Sequence, residues 1–466
     1  MSLRLAASFR DPSGWLYRAG DGTLLRQVNQ VYRADYDRLM SSGLYDRLVE
    51  QGLLIPHREV AAEPLDGERC YKVLQPELVP FISYPYEWCF SQLQDAALAT
   101  LAIQKAAMAR GMTLKDASAY NIQFVAGRPV LIDTLSFAAY TQGTPWVAYR
   151  QFCQHFLAPL ALMARRDVRL GKLMSGCIDG IPLDLASRLL PGSTRLNFGL
   201  LSHIHLHAKA EARYSATAPG ETAGEGRQAA PRMSQAGLLG LIDSLEGAVR
   251  SLRLPITGRE WADYYTDTNY TPEALSAKRA LVAERAARVA AGKRVLDLGA
   301  NTGLFSRAAA EAGAALVLST DIDPEAVEQN YRQLKAEPCA PVLPLVVDLT
   351  NPPPAIGWDN AERSSFYARA ESELVLALAL VHHLAIGNNV PLGDLGATLA
   401  RLGRWVLLEF VPKTDSQVQR LLRSRDDIFP DYHLEGLVAA LDPVLALEEQ
   451  VPVPGSQRTL LLFRRR

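Results

Sequence analysis

In the C-terminal half of the chain, apolar residues come in short unbroken runs rather than in alternation. Residues 294–298, 315–320, 342–347, 373–381 and 405–410 each form such a run. A continuous apolar run of strand length, bounded by turn residues, predicts a strand buried on both faces, as in a parallel sheet. Between the first two runs, residues 304–312 carry helical spacing, and Gly299-Ala-Asn-Thr-Gly303 makes a tight turn. The product is a βαβ unit with a carboxylate, Asp321, at the tip of its second strand. Two last runs, 444–450 and 459–463, joined through Pro454-Gly455-Ser456, predict an antiparallel hairpin.

The N-terminal half is patterned differently. Residues 11–28 alternate and turn at Gly20-Asp-Gly22, which predicts a β-hairpin. Residues 29–54 space Tyr32, Tyr36, Leu39, Leu44 and Leu48 along one helical face. Short strands are expected at 57–62 and 70–75, then a long helix over 87–110 that stops at Gly111. Two further strands, 122–125 and 129–132, flank an Ala-Gly-Arg turn, and residues 144–206 are helical and apolar. Residues 208–235 hold almost no large apolar side chains and are expected to be a flexible linker. An amphipathic helix is expected at 238–252, and Tyr264, Tyr265, Asn269 and Tyr270 are placed either to form a lid or to pack on the sheet. The expected division is an α+β domain over 1–207, the linker, and an α/β domain over 236–466.

Composition narrows the classes. Of 466 residues, 48% are hydrophobic and 21% charged, which is a globular balance, and the net charge of −1 offers no global field for nucleic acid or anionic membrane. Five scattered cysteines without a C-x-x-C pattern fit free thiols in a reducing compartment. With no apolar segment of leader or membrane-spanning length, the expected location is cytoplasmic. The expected partner is a small-molecule substrate, and the oligomeric state stays open.

The chemistry begins at the glycine turn. A dinucleotide site needs G-x-G-x-x-G so that a pyrophosphate can approach the helix N-terminus. Here Asn301 and Leu304 stand at the second and third glycine positions. A ligand without phosphate needs only one tight turn and one close approach, which Gly299 and Gly303 supply, and Asp321 can accept from ribose hydroxyls. Asp348, ending the third run, can accept from an adenine amino group.

This pattern resembles the S-adenosylmethionine (SAM) signature of class I methyltransferases. The resemblance implies a Rossmann-like, seven-stranded sheet with Asp297, Gly299, Asn301, Gly303, Asp321, Ile322, Asp348 and Leu349 around the cofactor. For methyl transfer, His382 or His383 after the fourth strand is the candidate base and Glu409 on the fifth its orienting acid. Only one of two adjacent strand-end histidines can face the cleft, and His382 is the expected one. A similar histidine–glutamate pair occurs in carbon-methylating domains of polyketide synthases. No Asn-Pro-Pro-Tyr follows the fourth strand, which argues against amino-methylating enzymes of the DNA-adenine type.

In the N-terminal half, Asp116, Asn121 and Asp133 resemble the catalytic loop and metal-holding acid of protein kinases and aminoglycoside-phosphotransferase-like enzymes. That implies a kinase-like fold with Asp116 as base, Asn121 and Asp133 as magnesium ligands, and ATP as cofactor. The departures are Leu114-Lys115 for His-Arg, Thr134-Leu135 for Phe-Gly, a missing glycine-rich loop, and Arg26 where a lysine is expected. A lapsed domain that serves substrate binding fits these departures better than an active one. His203, His205 and His207 would share a face if they lay on a strand and could then hold a metal.

Taken whole, through FISYPYEWCF, LKDASAYNIQF, DTNYT, DLGANTG, LALVHHL and LLEFVPKTDSQV, the chain resembles a bacterial family of two-part SAM-dependent methyltransferase-like proteins, some carrying nodulation-protein labels. The resemblance implies a methyltransferase whose N-terminal domain recognises the substrate. The alternatives are a bifunctional phosphotransferase–methyltransferase and a SAM-binding scaffold without chemistry.

Overall fold

The computed structural model describes residues 3–209, 233–254, 270–337, 341–423 and 425–466. Most of the expected linker, and Tyr264, Tyr265 and Asn269, lie outside the described residues. By internal contacts the chain forms two units, Met1–Pro255 with Ala355–Ser364, and Ile256–Pro354 with Ser365–Arg466.

This corrects the division read from the sequence in two places. Helix Gln235–Ser251 belongs to the first unit because it packs on helix Phe90–Met108. There Lys105 meets Asp243 and Glu246 at 2.6 Å each, and the Gln94 side chain donates to the Val249 carbonyl at 2.8 Å. The second correction is that residues 355–364, embedded in the sequence of the second unit, also belong to the first.

The first unit opens with strands β1 (Leu3–Arg4), β2 (Gly14–Arg18), β3 (Leu24–Asn29), β4 (His57–Glu59) and β5 (Cys70–Pro76). They form an antiparallel sheet in the order β1-β2-β3-β5-β4. Alternation sends Val28 and Leu74 to one face, where Tyr32, Tyr36 and Leu135 complete a buried cluster. Tyr17, Leu25 and Val73 pack on the other. Helix Phe90–Met108 follows, then two small antiparallel pairs. One pairs β6 (Met112–Leu114) with β9 (Phe137–Ala139), and the other pairs β7 (Ile122–Val125) with β8 (Arg128–Leu131).

The rest of this unit is helical. His203 and His205 lie on a π-helical segment, Leu201–Leu206, so the strand geometry that would have joined the histidines on one face is not present. His203 sits between the Tyr149 and Ser244 hydroxyls and His205 between those of Ser187 and Thr194. Among the described residues no group of three or more His, Cys, Asp or Glu side chains is arranged to hold a metal ion.

The second unit contains β10 (Arg294–Leu298), β11 (Leu316–Asp321), β12 (Val342–Val346), β13 (Ser372–Ala377), β14 (Gly403–Phe410), β15 (Leu445–Pro452) and β16 (Thr459–Arg465). The sheet order is β12-β11-β10-β13-β14-β16-β15. The first five are mutually parallel, and β16 runs antiparallel between β14 and β15. Strand order reverses between β11 and β13 around β10, and such a switch point opens a crevice at the carboxyl ends of the strands. Val295, Leu374 and Leu407 come from three neighbouring strands, and Val282 and Ala286 of helix Pro272–Ala290 cover them. Full burial of such a side chain contributes roughly 1.5–3 kcal/mol. Among the described residues no helix is long and apolar enough to cross a membrane.

Candidate active site

The turn after β10 is shaped by three left-handed residues, Gly299 (φ 70°), Asn301 (φ 51°) and Gly303 (φ 80°). At Gly303 a Cβ would come within 2.4 Å of the Asn330 side chain, so the tight turn admits no larger residue there. Its role is to let the chain enter helix Leu304–Glu311, not to line a cavity. At Gly299 the bare backbone faces a cavity of about 270 Å³.

Asn301, Asp321, Ile322, Asp348 and Leu349 line this cavity with Gly299, as do His383 and Asn388. Asp321 is held from behind. Its two oxygens accept from the Asn301 and Asp323 backbone N–H groups at 2.8 and 2.9 Å. Burial pushes its carboxyl up to about 6. Asp348 accepts from the backbone and hydroxyl of Thr350.

Asp297 lines a smaller adjoining cavity, together with Tyr270, Lys278 and Arg458. Its carboxylate accepts from Ser306 Oγ at 2.6 Å, and burial pushes it up to about 7. Beneath lies an ion network. Glu409, fully buried, accepts from Lys278 Nζ at 2.5 Å and from the Tyr270 hydroxyl, with Arg458 at 3.6 Å. Arg458 also meets Asp415 at 2.9 Å. Burial alone would raise the Glu409 carboxyl, but Lys278 and Arg458 hold it below its ordinary value.

Two expectations change here. Glu409 bonds Tyr270, Lys278 and Arg458, so it anchors cations and does not orient a histidine. His382 is fully buried with neither ring nitrogen hydrogen-bonded, and it is His383 that reaches the cavity. The reason is local. β13 ends at Ala377, Ala379 takes a left-handed φ of 50°, and both histidines then lie in a helical segment whose side chains do not alternate. Their rings stack 4.1 Å apart. Burial first, and the Arg458 charge second, push His383 down to about 4, so it is neutral near pH 7.

Lys278 and Arg458 were not legible as site residues. Lys278 sits in a run of Ala, Arg and Lys that reads as a solvated helix face, and the one signal at Arg458 is a charge between a turn and an apolar strand.

In the first unit, Asp116, Asn121 and Asp133 do meet on one cavity, of about 480 Å³. Asp133 Oδ1 is 2.5 Å from Arg26 Nη2 and accepts from Leu135 N at 3.0 Å, while Oδ2 accepts from Ser136 Oγ at 2.7 Å. Asn121 donates to Ser136 Oγ at 3.3 Å. Asp116 accepts from Ser118 N and Gln151 Nε2, and burial raises it above its ordinary value. Both oxygens of the expected magnesium ligand Asp133 are therefore engaged by the protein.

The parallel sheet with its antiparallel end hairpin, the left-handed turn and the strand-end acids give the second unit the fold of the SAM-dependent methyltransferases. The family model for the ribosomal protein L11 methyltransferase matches residues 280–351, from within helix Pro272–Ala290 to just beyond β12. Over nearly its whole length the chain is 34% identical to the nodulation protein NoeA of Rhizobium meliloti (strain 1021), covering 99% of this chain and 96% of that one. The chain belongs to the NoeA family. Partial likenesses to solved structures include the N-methyltransferase NodS of Bradyrhizobium japonicum WM9 (11% identity, 42% of this chain and 97% of that one, TM-score 0.32). Another is magnesium protoporphyrin IX methyltransferase of Synechocystis PCC 6803 (21% identity, 44% and 92%, TM-score 0.32).

Proposed function

We propose that the protein is a SAM-dependent methyltransferase acting on a small molecule, with the N-terminal unit recognising that substrate. The observation that carries this reading is the cavity at the carboxyl ends of β10, β11 and β12, where bare backbone at Gly299 and the carboxylate of Asp321 face the same space. Asp321 would hold the ribose hydroxyls, Asp348 and Leu349 would lie by the adenine, and Ile322 would cover its face.

SAM supplies an electrophilic methyl carbon on a sulfonium sulfur. The protein would align an acceptor atom with that carbon. Neutral His383 takes the acceptor's proton where one is released. Calorimetric titration with S-adenosylhomocysteine tests the reading. Heat is expected, and its absence would remove the cofactor assignment and the reaction with it.

A second reading, a phosphotransferase-like N-terminal unit with Asp116 as base and Asn121 and Asp133 on magnesium–ATP, draws support from the convergence of those three residues. The engagement of Asp133 by Arg26, Leu135 and Ser136 favours the lapsed version, in which the cavity serves recognition.

A further inference from the structure

Among the described residues, the first unit's cavity is lined by buried donors without acceptors. Tyr120 is 6% exposed, and its hydroxyl has no hydrogen-bond partner. Arg363 Nε is buried and likewise unpartnered, and its guanidinium lies 4.7 Å over the Tyr120 ring. Arg26, 7% exposed, leaves its Nε unpartnered on the same cavity. Buried donors are ordinarily satisfied, so several orphans on one cavity mark the place of a missing acceptor.

Charge points the same way. Arg10 is matched by Glu362 at 2.5 Å, and Arg26 by Asp133 and, at 3.7 Å, by Asp11. Among the described residues Arg363 is in no ion pair with a carboxylate, and its Nη1 donates to the Ala7 and Glu362 carbonyls. The neighbouring His155 is pushed down to about 4 by burial and by Arg363, so it adds neither charge nor counter-charge. The remaining acids of the lining are Glu77 and Asp179, both exposed, with Asp179 acting on Tyr120 and Arg10, and Asp116, whose Oδ1 accepts from Ser118 and Gln151. Phe9, Leu78 and Ile82 are exposed apolar residues of the same lining.

We infer that this cavity is a second ligand site, which takes a carboxylate or phosphate group on Arg363 and Tyr120, with Arg26 Nε as a further donor and the apolar lining carrying the rest of the molecule. Guanidinium groups match both anions, and a bond to a charged acceptor is the stronger kind. The site stands on the first unit alone and needs neither SAM nor methyl transfer.

The test titrates the full chain with inorganic phosphate and, separately, with acetate, following Tm and heat. One of the two is expected to bind, which assigns the anion. Tyr120→Phe should then weaken binding about tenfold, and Arg363→Gln should abolish it. An unchanged Tm of both variants without anion shows the first unit folded, and unchanged S-adenosylhomocysteine heat, measured alongside, keeps this result separate from the methyltransferase reading. Failure of both anions to bind, or equal binding in wild type and both variants, would overturn the proposal and leave water as the acceptor.

Discussion

In the cavities of the C-terminal unit, Asp297 and Asp321 accept from a serine hydroxyl and from backbone N–H groups, and no lysine or arginine is paired with either among the described residues. In the cavity of the N-terminal unit the corresponding acid, Asp133, is closed off by Arg26, and Glu362 by Arg10. One unit leaves acceptors available and sends its cations to Glu409. The other neutralises its acids and leaves donors exposed to the cavity. Carboxylates at strand ends thus mean different things according to where the nearest guanidinium is spent, and the two cavities should prefer ligands of opposite hydrogen-bonding character.

The hardest test of this contrast removes the cation anchor of the C-terminal unit. Glu409→Ala leaves Lys278 and Arg458, each about 2% exposed, without their shared counter-charge. Breaking a buried pair in this way costs about 3–5 kcal/mol, so chemical denaturation should show a large loss of stability. Next comes Asp321→Ala, which should weaken S-adenosylhomocysteine binding by about 1.5–3 kcal/mol, read by calorimetry. Unchanged affinity would dissolve the contrast. Asp133→Asn should cost less, about 1–2 kcal/mol, because Arg26 keeps Asp11, and it should leave S-adenosylhomocysteine affinity untouched.

A last test is a difference in pH response. Burial pushes His57, His155 and His203 down to about 4, so between pH 6.5 and 4 the unfolded chain binds more protons than the native N-terminal unit. Stability from these groups is therefore complete above pH 6.5 and is lost on acidification, opposed only by the raised Asp116. In the C-terminal unit His382 and His383 act in that direction. Asp297, raised to about 7, and Asp321, raised to about 6, act oppositely, since their contribution is complete below about pH 4 and is lost as pH rises. From pH 7 to 5 the N-terminal unit should lose more stability than the C-terminal one, visible as a selective rise in amide exchange.

The sheet of the C-terminal unit is legible in the sequence because its parallel strands are largely apolar runs closed by turns, so that strand ends, and the acids on them, can be placed. The histidine pair was misjudged because the apolar run over 373–381 extends past β13 into Leu378, Leu380 and Val381, where the backbone has already turned. Apolar character alone does not show the change from strand to helix. The pairing of Arg26 with Asp133 spans more than a hundred positions, and the burial of Lys278 depends on Glu409 from a distant strand. Neither leaves a local trace. The same holds for the membership of residues 355–364 in the first unit, since the ten-residue stretch carries no repeat or composition shift to announce it.

That stretch governs how the protein can be taken apart. A cut between residues 208 and 235 severs the backbone once, yet Glu362 stays bonded to Arg10, and Ser364 N to the Tyr84 hydroxyl. A nicked chain should therefore elute as one species until denaturant is added. A gene fragment beginning at residue 256 would carry ten residues whose neighbours are encoded upstream, so truncation libraries of this family should recover full-length clones far more readily than either half.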